Sequence, residues 1–386
     1  MELSFLAIFT FLMSVGAIGY VYAGYPLLVF AYGEIRPRRI IKRAIEPTVS
    51  LVITAYNEER DIKKKIENTL TLDYPREKLE IIVASDCSDD MTDQIVADFS
   101  HQGVKLVRQD HRGGKTAAQN LAVEQARGEI VHFSDATSVY EADAIREIVA
   151  NFADPSVGCV AGKLHYVDPT SSSVGSGARS YWNYETFLKK AESLACSLIG
   201  VSGCIYAVRR ANYVPMYPEA CSDFLIATVI YRQGMRTIYE PAAMCREETN
   251  RRSDKEMRMR IRVISQTFTD LWRNRDMLNP LKSGFFAIQL LSHKVLRYSV
   301  PIFLCAALAS SAYLAAGSNL FLWIFLIQLL FYFSAFAGWV IERIGLSAGP
   351  LSIPLYFVLT SAASIAGFVQ FLRGESYAAW EPIRES

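Results

Sequence analysis

An uncharged N-terminal run is the feature that most constrains this chain, since residues 4–32 contain no charged side chain. A helix needs about 20 apolar residues to cross a bilayer, so this run is long enough. Three further apolar runs follow at 295–317, 319–341 and 349–372. The whole chain is 51% hydrophobic and 20% charged, a composition that excludes a disordered protein. We predict a membrane protein whose mixed segment, 44–280, forms a domain outside the bilayer.

The charges around the first run indicate its orientation. Basic residues follow it instead of preceding it: Arg36, Arg38, Arg39, Lys42 and Arg43. A cleaved signal peptide has its basic residues first and a shorter apolar core. We therefore interpret residues 1–32 as an uncleaved transmembrane helix and 33–46 as a basic cytoplasmic linker. The positive-inside rule then predicts an external N-terminus and a cytoplasmic domain.

The C-terminal part allows more than one topology. Residues 295–373 are predicted to form three transmembrane helices, followed by a tail over 374–386. The amphipathic stretch 279–294 suits either a helix lying in the membrane surface or a buried helix of the cytoplasmic domain. Three crossings put the tail outside, unless one run is re-entrant or the surface helix crosses.

The segment between the apolar runs alternates between two patterns. Apolar, β-branched runs occur at 48–54, 78–86, 104–109 and 129–135, and helical patterns at 57–70, 93–99, 114–127 and 141–152. Such alternation predicts an α/β fold with a parallel-rich sheet and helices on both faces. We assign this domain to residues 47–278. Seven cysteines without C-x-x-C spacing indicate neither a disulfide framework nor a zinc site.

Polar clusters follow three of the predicted strands. They are TAYNEE (54–59), SDCSDD (85–90) and SDAT (134–137). One such cluster would be an ordinary capped turn, but ligands bind beyond the carboxyl ends of parallel strands, so three indicate a binding site. RGGKT (112–116) lacks the spacing of a P-loop, yet its glycines, lysine and helix N-terminus suit a diphosphate. A glycine turn with an exposed lysine is the alternative.

These clusters, with GVSGCIYAVRR (200–210) and CSDF (221–224), resemble the membrane-embedded family 2 glycosyltransferases. That family includes the synthases of hyaluronan, chitin oligosaccharides, poly-N-acetylglucosamine and cellulose. The resemblance runs from about Pro47 to Arg262, with the flanking membrane helices also in place. It implies a GT-A nucleotide-binding fold, and inverting transfer of a sugar from a nucleotide donor. The expected donor is UDP-linked, such as UDP-N-acetylglucosamine.

The resemblance also implies residue roles in nucleoside binding. Thr54, Tyr56 and Glu58 should line the nucleoside, where the tyrosine ring can stack on uracil. Asp86 should contact the base, and Asp90 should support its loop. The glycine usual after this aspartate is replaced by Cys87.

The diphosphate and the metal are expected at the next two motifs. The resemblance places Lys115 near the diphosphate. Asp135 occupies the first position of the family's D-x-D motif, so it should approach the donor and hold Mg²⁺ or Mn²⁺. The second position is Thr137, and we expect either weaker metal binding or a water in its place.

The acceptor side rests on two further segments. Gly203 should let the acceptor sugar approach closely, and Cys204 beside it is assigned to packing at the acceptor site. Asp223 stands in the family's T-E-D motif and should be the general base for the acceptor hydroxyl. The motif's glutamate is Ser222 here. By itself this segment could simply cap a helix.

The family's Q-x-x-R-W motif is absent from this chain. Arg258 and Arg262 lie four residues apart, so they share a helical face, with Arg260 turned away. That face could clamp the leaving UDP, with Arg262 as the best candidate, or lie on anionic lipid at the membrane surface. The absence of the tryptophan favours transfer of a single sugar over processive synthesis.

Four functions remain open from the sequence. The leading one is a multi-pass plasma-membrane enzyme (inner membrane in a Gram-negative cell) that builds a β-linked polysaccharide or oligosaccharide. The second is transfer of a single sugar to a lipid-linked acceptor. The third is a non-catalytic nucleotide-binding partner of a synthase, and a transporter ranks last. Expected partners are the nucleotide-sugar donor, a glycan or lipid-linked acceptor, membrane lipids, and a second copy or partner subunit. A net charge of +1 gives no reason to expect nucleic acid.

Overall fold

A computed structural model describes residues 2–167, 173–248, 253–375 and 377–379. Within these ranges a mixed sheet of eight strands forms the centre of the domain. The strands are β1 Val49–Ala55, β2 Leu79–Ser85, β3 Val104–Arg108, β4 Ile130–Asp135, β5 Val139–Tyr140, β6 Val157–Val167, β7 Tyr206–Arg209 and β8 Arg236–Glu248.

Helices surround the sheet and extend from it. They are α1 Glu2–Gly19, α2 Tyr25–Ile35, α3 Ile62–Leu70, α4 Thr92–Asp98, α5 Lys115–Gln125, α6 Ala144–Val149, α7 Ser173–Ala195, α8 Ser222–Arg232, α9 Ser253–Arg273, α10 Pro280–Ser283, α11 Phe285–Leu290, α12 Arg297–Ala315, α13 Asn319–Arg343 and α14 Ser352–Leu372. Two π-helical turns, Tyr20–Gly24 and Leu291–Leu296, join α1 to α2 and α11 to α12.

The sheet has the strand order β3-β2-β1-β4-β7-β6-β8-β5. Strand β1 pairs in parallel with both β2 and β4, and β2 pairs in parallel with β3. These are the four strands predicted from the sequence, so the prediction of a parallel-rich α/β sheet is confirmed. Strand β7 runs antiparallel to β4 and β6, which makes the sheet mixed.

Strand β1 is buried along its whole length. The core therefore covers both faces of the sheet at this strand. Successive side chains of a strand point to opposite faces. Leu51 and Ile53 pack into a cluster that includes Ile66 of α3. Val52, between them, packs into a second cluster with Ala118 of α5. The continuous apolar run of β1 therefore reflects a strand covered by helices on both sides.

The first predicted helix is shorter than expected. The pattern over 57–70 predicted a helix from Asn57, but α3 begins at Ile62. Asn57 has a φ of 52°, which lies outside the helical region. Its backbone N–H donates to Ser88 Oγ at 3.1 Å, and that of Glu58 to Thr92 Oγ1 at 2.7 Å. These bonds to the loop after β2 hold the chain out of the helix.

Four helices in the described part of the chain are long and apolar enough to cross a membrane: Glu2–Ile35, Phe285–Ala315, Asn319–Arg343 and Gly349–Leu372. They overlap all four predicted runs, although the second helix ends at Ala315 and not at residue 317. The predicted separate surface helix over 279–294 differs, because α10 is one turn long and α11 continues into α12. Phe286 is fully buried and its ring stacks at 4.1 Å on Tyr231 of α8. Hence α11 packs on the domain.

Helix α14 lies along α9 in the same direction. Near their starts, Tyr356 donates to Glu256 Oε1 at 3.0 Å. Near their ends, the rings of Phe268 and Phe368 are 5.0 Å apart. After α14 the chain returns to the domain, where Gln266 Nε2 donates to the backbone oxygen of Tyr377 at 3.4 Å.

This contact bears on the predicted tail over 374–386. Its residues 377–379 lie on the domain side of the apolar helices, whereas three full crossings would have put them on the opposite side. Residue 376 and residues 380–386 lie outside the described part of the chain.

The close contact of α14 with α9 depends on Gly367. A Cβ there would lie 2.9 Å from Ile261 O and 2.9 Å from Ile264 Cβ, whereas a Cβ on Gly16 of α1 would have nothing within 4 Å. Alanine normally stabilises a helix interior by about 1 kcal/mol over glycine. We expect Gly16→Ala to be neutral or stabilising and Gly367→Ala to lower the unfolding temperature by several degrees. Thermal unfolding in detergent measures both, and equal effects would contradict the packing.

Candidate active site

The polar clusters predicted from the sequence meet at one edge of the sheet. Strand β1 lies between β2 and β4, with Ala55 paired to Ser85 and Thr54 paired to Asp135. The carboxyl ends of the three parallel strands are therefore level with one another. Thr54 is 9% exposed and its Oγ1 donates to Ser134 O at 3.5 Å, so it links β1 to β4 beneath this edge.

Asp86 holds the glycine turn that precedes α5. Its carboxylate accepts hydrogen bonds from Gly113 N at 2.8 Å, from Gly114 N at 3.0 Å and from Gln109 Nε2 at 2.6 Å. These bonds fix the turn between β3 and Lys115. The predicted contact of Asp86 with the nucleoside base remains a prediction, since the carboxylate is already engaged by the turn.

The loop after β2 has the form that the resemblance implied. Asp90 accepts from Glu59 N at 3.1 Å and from Thr92 N at 2.9 Å, so it supports the loop. Cys87 has a φ of 59°, a left-handed conformation that glycine adopts most easily, and this explains the usual glycine at that position. The Arg112 guanidinium lies 3.8 Å from the Tyr56 ring centroid, so a base stacking on this ring would meet arginine there.

Lys115 and Asp135 form an ion pair at the centre of the site. Lys115 Nζ lies 2.5 Å from Asp135 Oδ1, and both side chains are about 30% exposed, at 29% and 30%. Burial alone would lower the pKa of Lys115, but the Asp135 and Asp223 carboxylates outweigh it and raise the pKa. The lysine is therefore a fixed cation that a diphosphate can approach.

Asp223 and Gly203, both predicted for the acceptor side, come together beside this pair. Asp223 lies in the first turn of α8 and its Oδ1 accepts from Cys221 Sγ at 2.9 Å. A Cβ placed on Gly203 would lie 3.0 Å from Asp223 Oδ2 and 3.2 Å from Lys115 Nζ. The missing side chain of Gly203 thus leaves space directly in front of Oδ2.

Cys204 does not line that space. Its side chain is 3% exposed, and its Sγ lies 3.5 Å from Cys245 Sγ of β8. The backbone oxygen of Cys204 accepts from Tyr140 OH at 2.8 Å. The side chain therefore packs beneath the acceptor side, and the assignment of Cys204 to the acceptor site stays a prediction.

The arginines of α9 separate into different environments. Arg258 is exposed and pairs with Asp254 at 3.5 Å, and Arg260 pairs with Glu256 at 2.8 Å. Burial lowers the pKa of Arg262 to about 10, against opposing effects of Cys221, Asp223 and Asp135. Of these three arginines, Arg262 is therefore the buried one on which the carboxylates of the site act.

Two charged residues that support the site were missed in the sequence. Lys65 of α3 is 1% exposed and donates to Ser138 O at 2.7 Å, which holds the turn after Asp135. Asp270 of α9 is fully buried and accepts from Cys221 N at 3.1 Å, just before Asp223. No motif marks either residue, although a lysine on the buried face of an amphipathic helix is itself a signal.

A divalent cation fits this site only together with a bound ligand that supplies further oxygen atoms. The described residues contain no group of three or more His, Cys, Asp or Glu side chains that could hold a metal. Asp135 already binds one cation, the Lys115 ammonium, and Mg²⁺ typically uses one or two carboxylates together with substrate phosphates. The oxygen donors present therefore suit a cation shared with a diphosphate.

Comparison with known proteins defines the class. Residues 50–213 match the model of the family described as "Glycosyl transferase family 2". Residues 50–213 therefore form a family 2 glycosyltransferase domain, and the resemblance seen in the sequence is confirmed. The poly-beta-1,6-N-acetyl-D-glucosamine synthase of Staphylococcus aureus is 27% identical over 204 residues, which are 51% of this chain and 49% of that protein.

Two further proteins extend the comparison. Glycosyltransferase AglE of Haloferax volcanii is 27% identical over 141 residues, or 36% of this chain and 46% of that protein. The chain thus spans about half the length of the curated relatives it matches. The mannosyltransferase PcManGT of Pyrobaculum calidifontis, solved with GDP-Man and Mn²⁺, has a TM-score of 0.73 at 24% identity over 97% of this chain and 100% of its own. This likeness shows a common GT-A-like fold.

The ionisation of Asp270, which accepts from the backbone just before Asp223, should make the stability of the protein depend on pH. Burial raises its pKa to about 7, although the Tyr217 hydroxyl and Cys221 N–H oppose this. A carboxyl whose pKa is raised on folding binds more protons folded than unfolded, so its contribution to stability is lost as pH rises from about 4 to 7. We expect Asp270→Asn, neutral at every pH, to gain several degrees of unfolding temperature relative to wild type between pH 5 and 8. A difference that stays constant with pH would contradict this assignment.

Proposed function

We propose that this protein is an inverting membrane glycosyltransferase that transfers a sugar from a nucleotide-sugar to a hydroxyl of a growing β-linked glycan. UDP-N-acetylglucosamine is the first donor to test, in line with the name of the staphylococcal relative. One observation carries the proposal: Oδ2 of Asp223 faces the space at Gly203, beside the Lys115 ammonium. A base, room for an acceptor and a cation for the leaving group are thus adjacent.

The proposed step needs no covalent enzyme intermediate. The acceptor hydroxyl gives its proton to Asp223 Oδ2 while its oxygen bonds to the anomeric carbon. On the opposite face the bond from that carbon to the diphosphate oxygen breaks, and the electron pair leaves with the diphosphate. Lys115 and Arg262 stabilise the negative charge that develops there. A divalent cation bound at Asp135 would supply further neutralisation.

A single transfer to a lipid-linked acceptor is the second candidate. In the family that the sequence resembles, a tryptophan follows the arginine at the position of Arg262, and this chain has Val263. Val263 packs against the buried cluster that contains Phe224 and Phe286. This position therefore offers no ring for stacking a sugar, and that favours a short product.

Asp223→Asn is the central test. Loss of a general base typically costs 10²- to 10⁴-fold in rate, so we expect at least a hundredfold loss of turnover. UDP or GDP release from detergent-purified protein, with a panel of UDP-sugars and GDP-mannose, gives the rate. Glu219→Gln is the matched control, since this partly exposed acid pairs with Arg273 at 3.8 Å, and it should keep wild-type turnover.

The products distinguish the remaining candidates. A ladder of masses supports chain synthesis, whereas one added sugar supports single transfer. Measurable nucleotide binding without turnover of any donor, across glycan and lipid acceptors, would support the non-catalytic partner. Unchanged turnover in Asp223→Asn would exclude this carboxylate as the base.

Arg262 should act on the donor, whereas Arg258 should not. A charge-assisted hydrogen bond contributes about 1.5–3 kcal/mol, so we expect Arg262→Ala to lower kcat/KM for the donor roughly ten- to a hundredfold. Arg258→Ala, which removes an exposed arginine one turn earlier, should change it less than twofold. Equal losses in the two variants would instead indicate a general role of the basic helix.

A further inference from the structure

The side chain of Glu247 lies next to position 137, where the D-x-D motif would have its second aspartate. Thr137 stands where the motif has its second aspartate, and its Oγ1 donates to Glu247 Oε1 at 2.9 Å. Glu247 is 110 residues further along the chain, near the end of β8. A carboxylate therefore lies within hydrogen-bond distance of the site from which the motif's own carboxylate is absent.

The sheet fixes the direction of Glu247. Strand β8 pairs with β5 through Val139 opposite Arg246, so it passes beside the turn that follows Asp135. Alternate side chains of a strand share a face, so Glu247 lies on the same face as Cys245. Cys245 is fully buried beneath the site, and Glu247, half-buried, is the next residue on that face.

The charges around Glu247 are those of the donor site. Among charged groups, Asp135 acts most strongly on its carboxylate, followed by Lys115 and Lys65. Both lysines are engaged elsewhere, Lys115 with Asp135 at 2.5 Å and Lys65 with Ser138 O at 2.7 Å. Within the described ranges of the chain, Glu247 has a hydroxyl donor and no ion pair. Two carboxylates in one partly buried pocket are unfavourable unless a cation is shared.

We propose that Glu247 supplies the second carboxylate of a divalent-cation site, together with Asp135, in place of the acid absent at position 137. The ligand class is a hard cation, Mg²⁺ or Mn²⁺, which binds carboxylate oxygens and phosphates. The inference rests on the proposed function to the extent that the donor's diphosphate completes the coordination. The acidic pair itself belongs to the protein and is testable without a donor.

The test measures Mn²⁺ binding to the full-length purified chain by electron paramagnetic resonance of free Mn²⁺, first alone and then with UDP. We expect Glu247→Gln to weaken binding at least tenfold, both with and without UDP. Glu248→Gln is the matched control, because Glu248 is the exposed neighbour on the opposite face of the strand, and it should stay within twofold of wild type.

A second variant separates metal binding from support of the turn. In Thr137→Asp/Glu247→Gln the acid returns to its motif position, and we expect Mn²⁺ affinity to recover to within threefold of wild type. Wild-type affinity in Glu247→Gln, or no recovery in the double variant although its unfolding temperature matches wild type, would overturn the proposal. If Mn²⁺ binding depends on Glu247 but the protein shows no transferase activity, the result supports the metal site and contradicts the proposed function.

Discussion

The parallel pairing of β1 with β2 on one side and β4 on the other is the constraint on which the site depends. It makes the ends of three strands level, so the loops after Ala55, Ser85 and Asp135 have to share one edge. Backbone groups then do much of the positioning. Asp86 accepts hydrogen bonds from two backbone N–H groups of the glycine turn and from the side-chain amide of Gln109, and this turn starts the helix that carries Lys115.

The apolar helices contribute to the same site through α9. This helix packs against α14 on one side, and it carries Arg262, on which the Asp223 carboxylate acts electrostatically. The apolar helices are also linked to the domain at Glu192 of α7, a buried carboxylate. Tyr25 of α2 donates to its Oε1 at 2.5 Å, and His293 Nδ1 lies 2.8 Å from the same oxygen. Polar groups of the long apolar helices are thereby bound to the domain by directional contacts.

Sequence reasoning succeeded where local pattern determines structure. Apolar strands with short helical connections have few ways to pair, so the four parallel strands and their polar ends could be predicted. Glu247 and Asp270 could not, because β-strand register and helix rotation decide where they point and neither is visible in local sequence. Hydropathy likewise gave the length of α14 but not its direction, which depends on the contact of Gly367 with Ile261.

The segment after α14 touches the glycine turn itself. A Cβ on Gly114 would lie 1.6 Å from Ala378 O, and Gly114 has a φ of 88°, so both neighbour and backbone require glycine there. Only a short connection, residues 373–377, separates Ala378 from the end of α14. Insertions or deletions in this connection would displace the segment from the turn. We therefore expect related proteins to keep the length of this connection as strictly as they keep a sequence motif. Its residue types can vary.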